Sequence, residues 1–397
     1  MAGASLAARS GSPAGLPKSR TMTRVVRSSG SLLACAGSGD VVRGTMSRPG
    51  PPPSSRSGAR ASGPYRVAVL PWVLVALVAT ARGAPATTPS PSAPSDVRDR
   101  AFAASGRVVV DLGGDDTADA LVLDARGRIV VAGTTRTAGR HQVSLSAIAP
   151  DGSVDVTFAT RGTLRLDAGS GAHVAALVAA GDGLVAAGWT GEADGDVLVL
   201  RVSPHGEPDT GFGARARDAL RAAGRERALA VTVVTDGGLV VGGSTRVDGD
   251  ERAFLARLLP DGRIDPSFGD GGRTVLDGVG RDASVLALAS DARGRIVVAG
   301  RGGGGAFAAR LAPSGTLDRS FARDGVASLP LERPVRVTAA AIDPDGGAVL
   351  VARAPAVDAP SLALRVRPDG TRDERFAQGG VAELAHDGLA IAPGSVA

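Results

Sequence analysis

PDGRIDPSFGDGG, residues 260–272, is the fullest copy of a phrase that runs through this chain. It returns as PDGSVDVTF (150–158), PHGEPDTGF (204–212), PSGTLDRSF (313–321) and PDGTRDERF (368–376), and a worn copy, PSDVRDRAF (94–102), precedes them all. Successive phenylalanines stand 56, 54, 56, 53 and 55 residues apart. Self-similarity at a fixed period sets the architecture before any local reading.

Between these phrases every unit reads as strand. A glycine follows the phenylalanine four residues on in five of six copies (Gly106, Gly162, Gly272, Gly325, Gly380) and leads into a short strand. An Ala/Val-rich run, a glycine turn and a second apolar run follow, as in ALVLDARGRIVVAG (120–133) and LALASDARGRIVVAG (286–300). Asp-Gly, Arg-Gly and Gly-Gly at the reversals supply the positive φ of tight hairpins. An alternating strand such as FLARLLPDG (254–262) closes the unit. Helical and leucine-rich repeats have shorter periods, so the pattern predicts an all-β chain, a β-propeller of about five four-stranded blades. The innermost strands are expected to begin near Ala118, Val174, Ala228, Ser284 and Val335. The strand after the phenylalanine occurs six times and the other three only five times. Residues 381–384 are expected to complete the fifth blade, and residues 107–112 to lie loosely at the seam. The 13-residue tail is too short for three more strands.

PDGRIDPSFGDGG together with GRIVVAG (127–133 and 294–300) resembles the delta-60 repeat family of bacterial propeller-like proteins, over about residues 94–384. That resemblance implies a secreted or envelope β-propeller whose biochemical role is mostly undefined.

The net charge of +5 is unevenly placed. Residues 1–84 hold 11 basic groups and one acid, Asp40, which leaves 34 basic and 39 acidic groups in the remainder, a net of −5. With no basic excess and no interleaved aromatics there, nucleic-acid binding is excluded. The single cysteine, Cys35, lies in the same leader, so the repeats contain neither a disulfide nor a cysteine metal site. Residues 67–80 are a 14-residue apolar run with Arg60 and Arg66 before it and Ala79-Thr80-Ala81 at its end. A spanning helix needs about 20 residues and a signal core about 7–15, which favours export over a membrane span. The expected organisation is a basic Pro/Ser/Gly-rich extension (1–65), a signal peptide (66–84), a linker with the worn repeat start (85–101), the repeat domain (102–384) and a tail (385–397).

The chemistry of the phrase is structural. Asp155, Asp209, Asp265, Asp318 and Asp373 follow the turn-forming Pro-Asp-Gly by a fixed step and are expected to accept loop N–H groups. Arg201, Arg257, Arg310 and Arg365 stand three residues before the proline, Ala147 in the first unit, so loop capping is read as primary and the ion pair as secondary. Phe158, Phe212, Phe268, Phe321 and Phe376 read as plugs between blades. Trp189 breaks the repeat, since Thr134, Ser244, Arg301 and Arg353 occupy its place elsewhere. It reads as a half-buried ring against its neighbour blade or as a contact for sugar or peptide.

The acidic pairs Asp194/Asp196 and Asp248/Asp250 lack the series a calcium loop needs and read as turn residues. Residues 302–305, Gly-Gly-Gly-Gly, read as a flexible loop. No nucleophile or zinc motif is present, and His141, His173, His205 and His386 occupy unrelated repeat positions. The expected protein is a monomeric binding or scaffold module without metal or cofactor, engaging a protein or glycan of the envelope. The alternative is a propeller hydrolase of lactones or glycans, which requires groups such as Asp119, His173, Glu226 and Asp282 to converge on the axis.

Cleavage of the apolar leader is expected to yield a mature chain beginning near Arg82. Intact-mass measurement on secreted protein checks this, and a species that retains residues 49–72 contradicts it.

Overall fold

The computed structural model describes residues 99–384, apart from residues 100, 105, 192–194, 222–224, 248, 331–335, 354–359 and 378. The leader, the apolar run, the tail, His386, Asp194, Asp248 and Val335 lie outside the described residues. Five antiparallel sheets stand side by side. The first contains β1 (Asp115–Asp116), β2 (Ala120–Leu123), β3 (Ile129–Thr137), β4 (Arg140–Ile148) and β5 (Thr163–Leu166), with β1 and β2 as two halves of one inner strand on β3. The second has β6 (His173–Ala180), β7 (Gly183–Thr190) and β8 (Asp196–Val202), followed by helix α1 (Thr210–Leu220). The third has β9 (Arg225–Val233), β10 (Leu239–Val247), β11 (Asp250–Leu258) and β12 (Arg273–Val275). The fourth has β13 (Ser284–Ser290), β14 (Ile296–Gly302), β15 (Gly305–Leu311) and β16 (Val326–Leu329). The fifth has β17 (Arg336–Ile342), β18 (Ala348–Arg353), β19 (Ser361–Val366) and β20 (Val381–Leu384).

The Ala/Val-rich runs are the inner strands, and each carries a register shift at the same place, between Val174 and Ala176, Val285 and Ala287, or Val337 and Ala339. The looped-out Ala175, Leu229 and Leu286 join one buried cluster. The bulged backbone presses on the facing strand, which explains the glycine closing G-R-I-V-V-A-G. A β-carbon on Gly300 would strike the Ser284 carbonyl. Residues 302–305 form a two-residue hairpin rather than a flexible loop: Gly302 pairs with Gly305, and Gly303 and Gly304 take φ of 59° and 77°.

One expected strand is a helix. In every repeat the Asp-x-x-Phe segment begins a helical turn, and in every unit but the second the glycine four residues after the phenylalanine closes it. Gly162, Gly272 and Gly325 donate to the carbonyls of Phe158, Phe268 and Phe321 at 2.8–2.9 Å, and all take φ near +90°. The second unit has Ala216 at this position. The residue after the phenylalanine takes positive φ in the other units (Ala103, Ala159, Gly269, Ala322 and Ala377), whereas Gly213 is helical here. With no glycine at 216 to end the turn, the chain continues from its N-cap Asp209 as the 11-residue α1, burying Phe212, Ala216 and Leu220 where β8 would otherwise meet a fourth strand.

Neighbouring sheets pack through their inner strands, β2 on β6, β6 on β9, β9 on β13 and β13 on β17, and no packing of that extent joins β17 to β2 among the described residues. Each interface holds its own apolar cluster around one repeat phenylalanine: Phe158, Phe212, Phe268 and Phe321, all 0–1% exposed. At the two ends the pattern changes. Val174, Ala228 and Val285 are fully buried against a preceding sheet, whereas their counterpart Ala118 is exposed, and Phe376 is half-buried. The described chain is thus a run of five propeller-like sheets.

Residues 107–112 form no strand, contrary to expectation, yet the worn repeat is firmly seated. Phe102 is 1% exposed against Ile129, Val131 and Ile148. The Leu112 N–H donates to the Asp116 carboxylate at 2.8 Å, and Arg165 donates to the Leu112 carbonyl at 2.6 Å.

Gly272→Ala is expected to destabilise the domain by about 2 kcal/mol or more, since φ is +98° and the new β-carbon meets Ile264. Ala216→Gly, which weakens α1, is expected to cost about 1 kcal/mol. Denaturant melts rank the two, and a larger loss for Ala216→Gly contradicts the termination argument.

Candidate functional site

The two ends of the sheets carry different chemistry. At the Pro-Asp-Gly end each repeat aspartate divides its oxygens between two tasks. Asp155 Oδ1 accepts from the Thr157 amide (3.0 Å) and hydroxyl (2.6 Å), while Oδ2 accepts from Arg128 at 2.8 Å. Asp318 does the same with Ser320 and with Arg310 Nε (2.7 Å). Asp265 takes the Ser267 amide and hydroxyl and lies 3.1 Å from Arg257 Nε; Asp209 takes the Phe212 amide and Arg201; Asp373 takes the Arg375 amide and lies 3.6 Å from Arg365.

The same guanidiniums reach the next sheet. Arg128, Arg201, Arg257 and Arg310 donate to the carbonyls of Pro204, Pro260, Pro313 and Pro368 at 2.7, 2.5, 3.0 and 3.0 Å. Three of them also cover the plugging rings: Arg128 over Phe158 (5.4 Å), Arg201 over Phe212 (4.4 Å) and Arg310 over Phe321 (5.1 Å). The ion pair is therefore part of the tie between sheets, and Asp155 does have an arginine although Ala147 replaces the usual one. The signal was Arg128 of G-R-I-V-V-A-G, which reaches both Asp124 and Asp155.

At the opposite end, where the inner strands begin, the side chains differ from sheet to sheet. His173 on β6 and Trp189 on β7 are cross-strand partners with parallel rings 4.5 Å apart, and the Arg227 guanidinium of the third sheet stands 5.3 Å from the Trp189 ring centre. His173 Nδ1 lies 3.0 Å from the Val174 carbonyl and 3.9 Å from Asp119 Oδ2, which also accepts from the Thr117 hydroxyl at 2.7 Å. Burial pushes the Asp119 carboxyl up, opposed by His173 and the Thr117 bond. The His173 side chain is 37% exposed and that of Asp119 19%. Trp189 is half-buried with its ring against His173 and packed on the apolar cluster around Phe321, while Arg227 is exposed.

Of the four groups a hydrolase would bring together, Asp119 and His173 meet. Glu226 is buried and bonded to Arg273 at 2.6 Å, and Arg273 also donates to the Leu220 carbonyl at the end of α1. Asp282 sits in the turn before β13 with φ of 52°. Asp196 opens β8 and Asp250 is engaged by Arg281 at 2.5 Å. His141 lies on β4, and His205 takes the place of Asp in its turn. Among the described residues no group of three or more His, Cys, Asp or Glu could hold a metal ion, and no helix is long and apolar enough to cross a membrane.

A family model described as a domain of unknown function (DUF5122), beta-propeller, matches residues 235–268 and 294–321, supporting a β-propeller-like repeat. No curated protein matches the chain. Among solved structures, the hydrazine synthase of Kuenenia stuttgartiensis is 13% identical with a TM-score of 0.42, over 71% of this chain and 40% of that one. A protein of unknown function from Dyadobacter fermentans (13%, TM-score 0.41) is matched over 68% of this chain and 83% of its own. The periplasmic gluconolactonase of Pseudomonas aeruginosa (15%, TM-score 0.40) is matched over 64% and 69%. Likeness at this level carries no activity across.

The ties carry a pH signature. Asp155 is lowered to about 2, chiefly by its bond from Arg128, and Asp318 to about 2, chiefly by the Ser320 hydroxyl. Both lie below the usual aspartate value of 3.8. Their contribution is therefore present above that value and lost as pH falls toward 2. Thermal melts are expected to be level above about pH 5 and to fall between about pH 4 and 2, with a shallower fall in Asp155→Asn/Asp318→Asn. A wild-type midpoint unchanged down to pH 2 contradicts this.

Proposed function

We propose that this protein is an exported binding or scaffold module, a monomer related to the delta-60 repeat proteins, that recognises an envelope protein or glycan through the ends of its inner strands. The observation that carries this reading is the contrast between the two ends. The Pro-Asp-Gly end repeats one set of contacts and leaves little room for variation. The inner-strand end carries Thr117/Thr134, His173/Trp189, Arg227/Ser244, Ser284/Arg301 and Arg336/Arg353 on successive sheets. A constant end serves the scaffold, and a varied end suits recognition. The apolar leader with its small-residue boundary supports export.

A second reading draws on Asp119 and His173, a half-buried carboxylate beside an imidazole, which could act in general-base hydrolysis of a lactone or glycoside. The two readings separate in one experiment. The purified protein is tested for binding to arrays of envelope glycans and peptides, and for turnover of lactone and glycoside substrates, as wild type, Trp189→Ala and Asp119→Asn. Binding that falls about tenfold or more in Trp189→Ala without turnover supports the module. Turnover abolished by Asp119→Asn overturns it in favour of the hydrolase.

A further inference from the structure

Six phrases serve five turns. Each Pro-x-Gly turn is taken by the phrase of the preceding unit, whose residue after the phenylalanine donates its amide to the middle carbonyl of that turn: Ala159 to His205 (2.7 Å), Gly269 to Ser314 (2.7 Å) and Ala322 to Asp369 (2.8 Å). At the turn of residues 260–262, where α1 replaces the usual bend, Arg215 Nε makes the bond to the Asp261 carbonyl instead, at 2.6 Å. The turn glycines are pressed against their occupants, so a β-carbon on Gly206 would strike Ala159 and one on Gly370 would strike Ala322. The first turn, residues 150–152, is filled in the same manner by the worn phrase. Ala103 donates to the Asp151 carbonyl at 2.7 Å, Gly152 lies against Ala103, and Phe102 is buried.

The sixth phrase is left over. Phe376 is half-buried and belongs to no apolar cluster among the described residues. Ala377 has the positive φ of its counterparts, 49°, but it is exposed and its amide meets no acceptor among the described residues. The arginine of this unit is equally incomplete. Arg257 meets Asp236, Asp265 and the Pro313 carbonyl, whereas Arg365 meets the matching acids, Asp343 and Asp373, and no carbonyl of a further sheet among the described residues. The worn phrase shows the converse: its Asp99 accepts from the Ala101 amide, and no arginine among the described residues reaches its second oxygen.

We infer that the Phe376 phrase exchanges with the Phe102 phrase at the first turn, and that this exchange closes the five sheets into a ring. The seat has one place and two fitting occupants. The Phe102 phrase holds it together with Val108 and Val110, which pack on the cluster of Phe102, Ile129, Val131 and Ile148. The Phe376 phrase brings an aspartate with its arginine already in place, and a sheet whose own apolar cluster, Ala339, Ala341 and Val351 with Leu384 against it, includes no residue of another sheet. Both occupants belong to one chain, so the exchange is intramolecular and is favoured by effective concentration over capture of a second copy. A copy-to-copy contact of this kind is head-to-tail and leaves both of its ends open. Five blades lie within the range that closed propellers use.

Cross-linking of the full chain tests the exchange, with the single cysteine removed as Cys35→Ser so that only introduced thiols react. Asp151→Cys is combined with Ala103→Cys in one variant and with Ala377→Cys in another. Each is treated with a short bismaleimide at low protein concentration, and links within one chain are read by intact mass and peptide mapping. Both links are expected to form. Adding Phe102→Ala is expected to speed the link from position 377 by about tenfold or more, and adding Phe376→Ala to abolish it. Val108→Ser/Val110→Ser weakens the same occupant away from its phenylalanine, so a faster link there supports the exchange even if Phe102→Ala folds poorly. A link from position 377 that ignores all of these variants overturns the inference, as does one that forms only between chains. Its absence from a Val108→Ser/Val110→Ser protein that still melts cooperatively overturns the inference too.

Discussion

The structure depends on one carboxylate doing two jobs. Asp155, Asp209, Asp265 and Asp318 each give one oxygen to their own turn and the other to an arginine that continues to a proline carbonyl of the next sheet. Neither half is sufficient alone. A buried ion pair by itself adds little, since desolvation offsets the Coulomb attraction. Here the guanidinium is also satisfied by a carbonyl and lies over a buried phenylalanine, and the carboxylate is satisfied by the turn. Each sheet-to-sheet contact is therefore both apolar, through a ring worth about 2 kcal/mol on burial, and directional, through a charge-assisted bond that fixes where the next turn must sit.

That tie also explains how the chain keeps its period where the local structure changes. In the second unit the outer strand is replaced by α1, yet Asp209, Arg201, Phe212 and the Pro260 carbonyl remain in their usual relation. The segment between the tie and the next inner strand can be strand or helix, and the choice is made at two positions after the phenylalanine. In the other units the residue after the phenylalanine and the glycine three further on both take positive φ and end the helical turn; in the second unit Gly213 and Ala216 stay helical and the helix goes on.

The period, the strand content, the inner Ala/Val runs and the turn chemistry were all legible because each rests on spacing or on a residue with few conformational choices. The missing glycine in the second unit was legible too, and its consequence was not, because a strand pattern of R-D-A-L and a helical one look alike over four residues. The role of Arg128 was hidden for another reason. In the linear repeat it stands far from Asp155, and only the pairing of β3 with β4 brings the two side by side. The seating of Phe102 was legible in its phrase. The failure of residues 107–112 to form a strand was not, since a strand needs a partner edge that no sequence position announces. The meeting of Asp119 with His173 depends on the packing of β2 against β6, a contact between sheets with no trace in the spacing.

The two ends of the sheets differ for a physical reason. At the Pro-Asp-Gly end each turn docks on the turn of the next sheet, and the buried polar groups between them must be matched, which holds the residues to one solution. At the inner-strand end the chain crosses from one sheet to the next, as between Leu166 of β5 and His173 of β6, and a change of side chain there leaves the ties untouched. Trp189 illustrates the freedom this gives. With its ring against His173 and within reach of Arg227, it is held by neighbours rather than by the repeat. Its ring joins the second sheet to Arg227 of the third at this end, a contact that the repeated phrase does not supply.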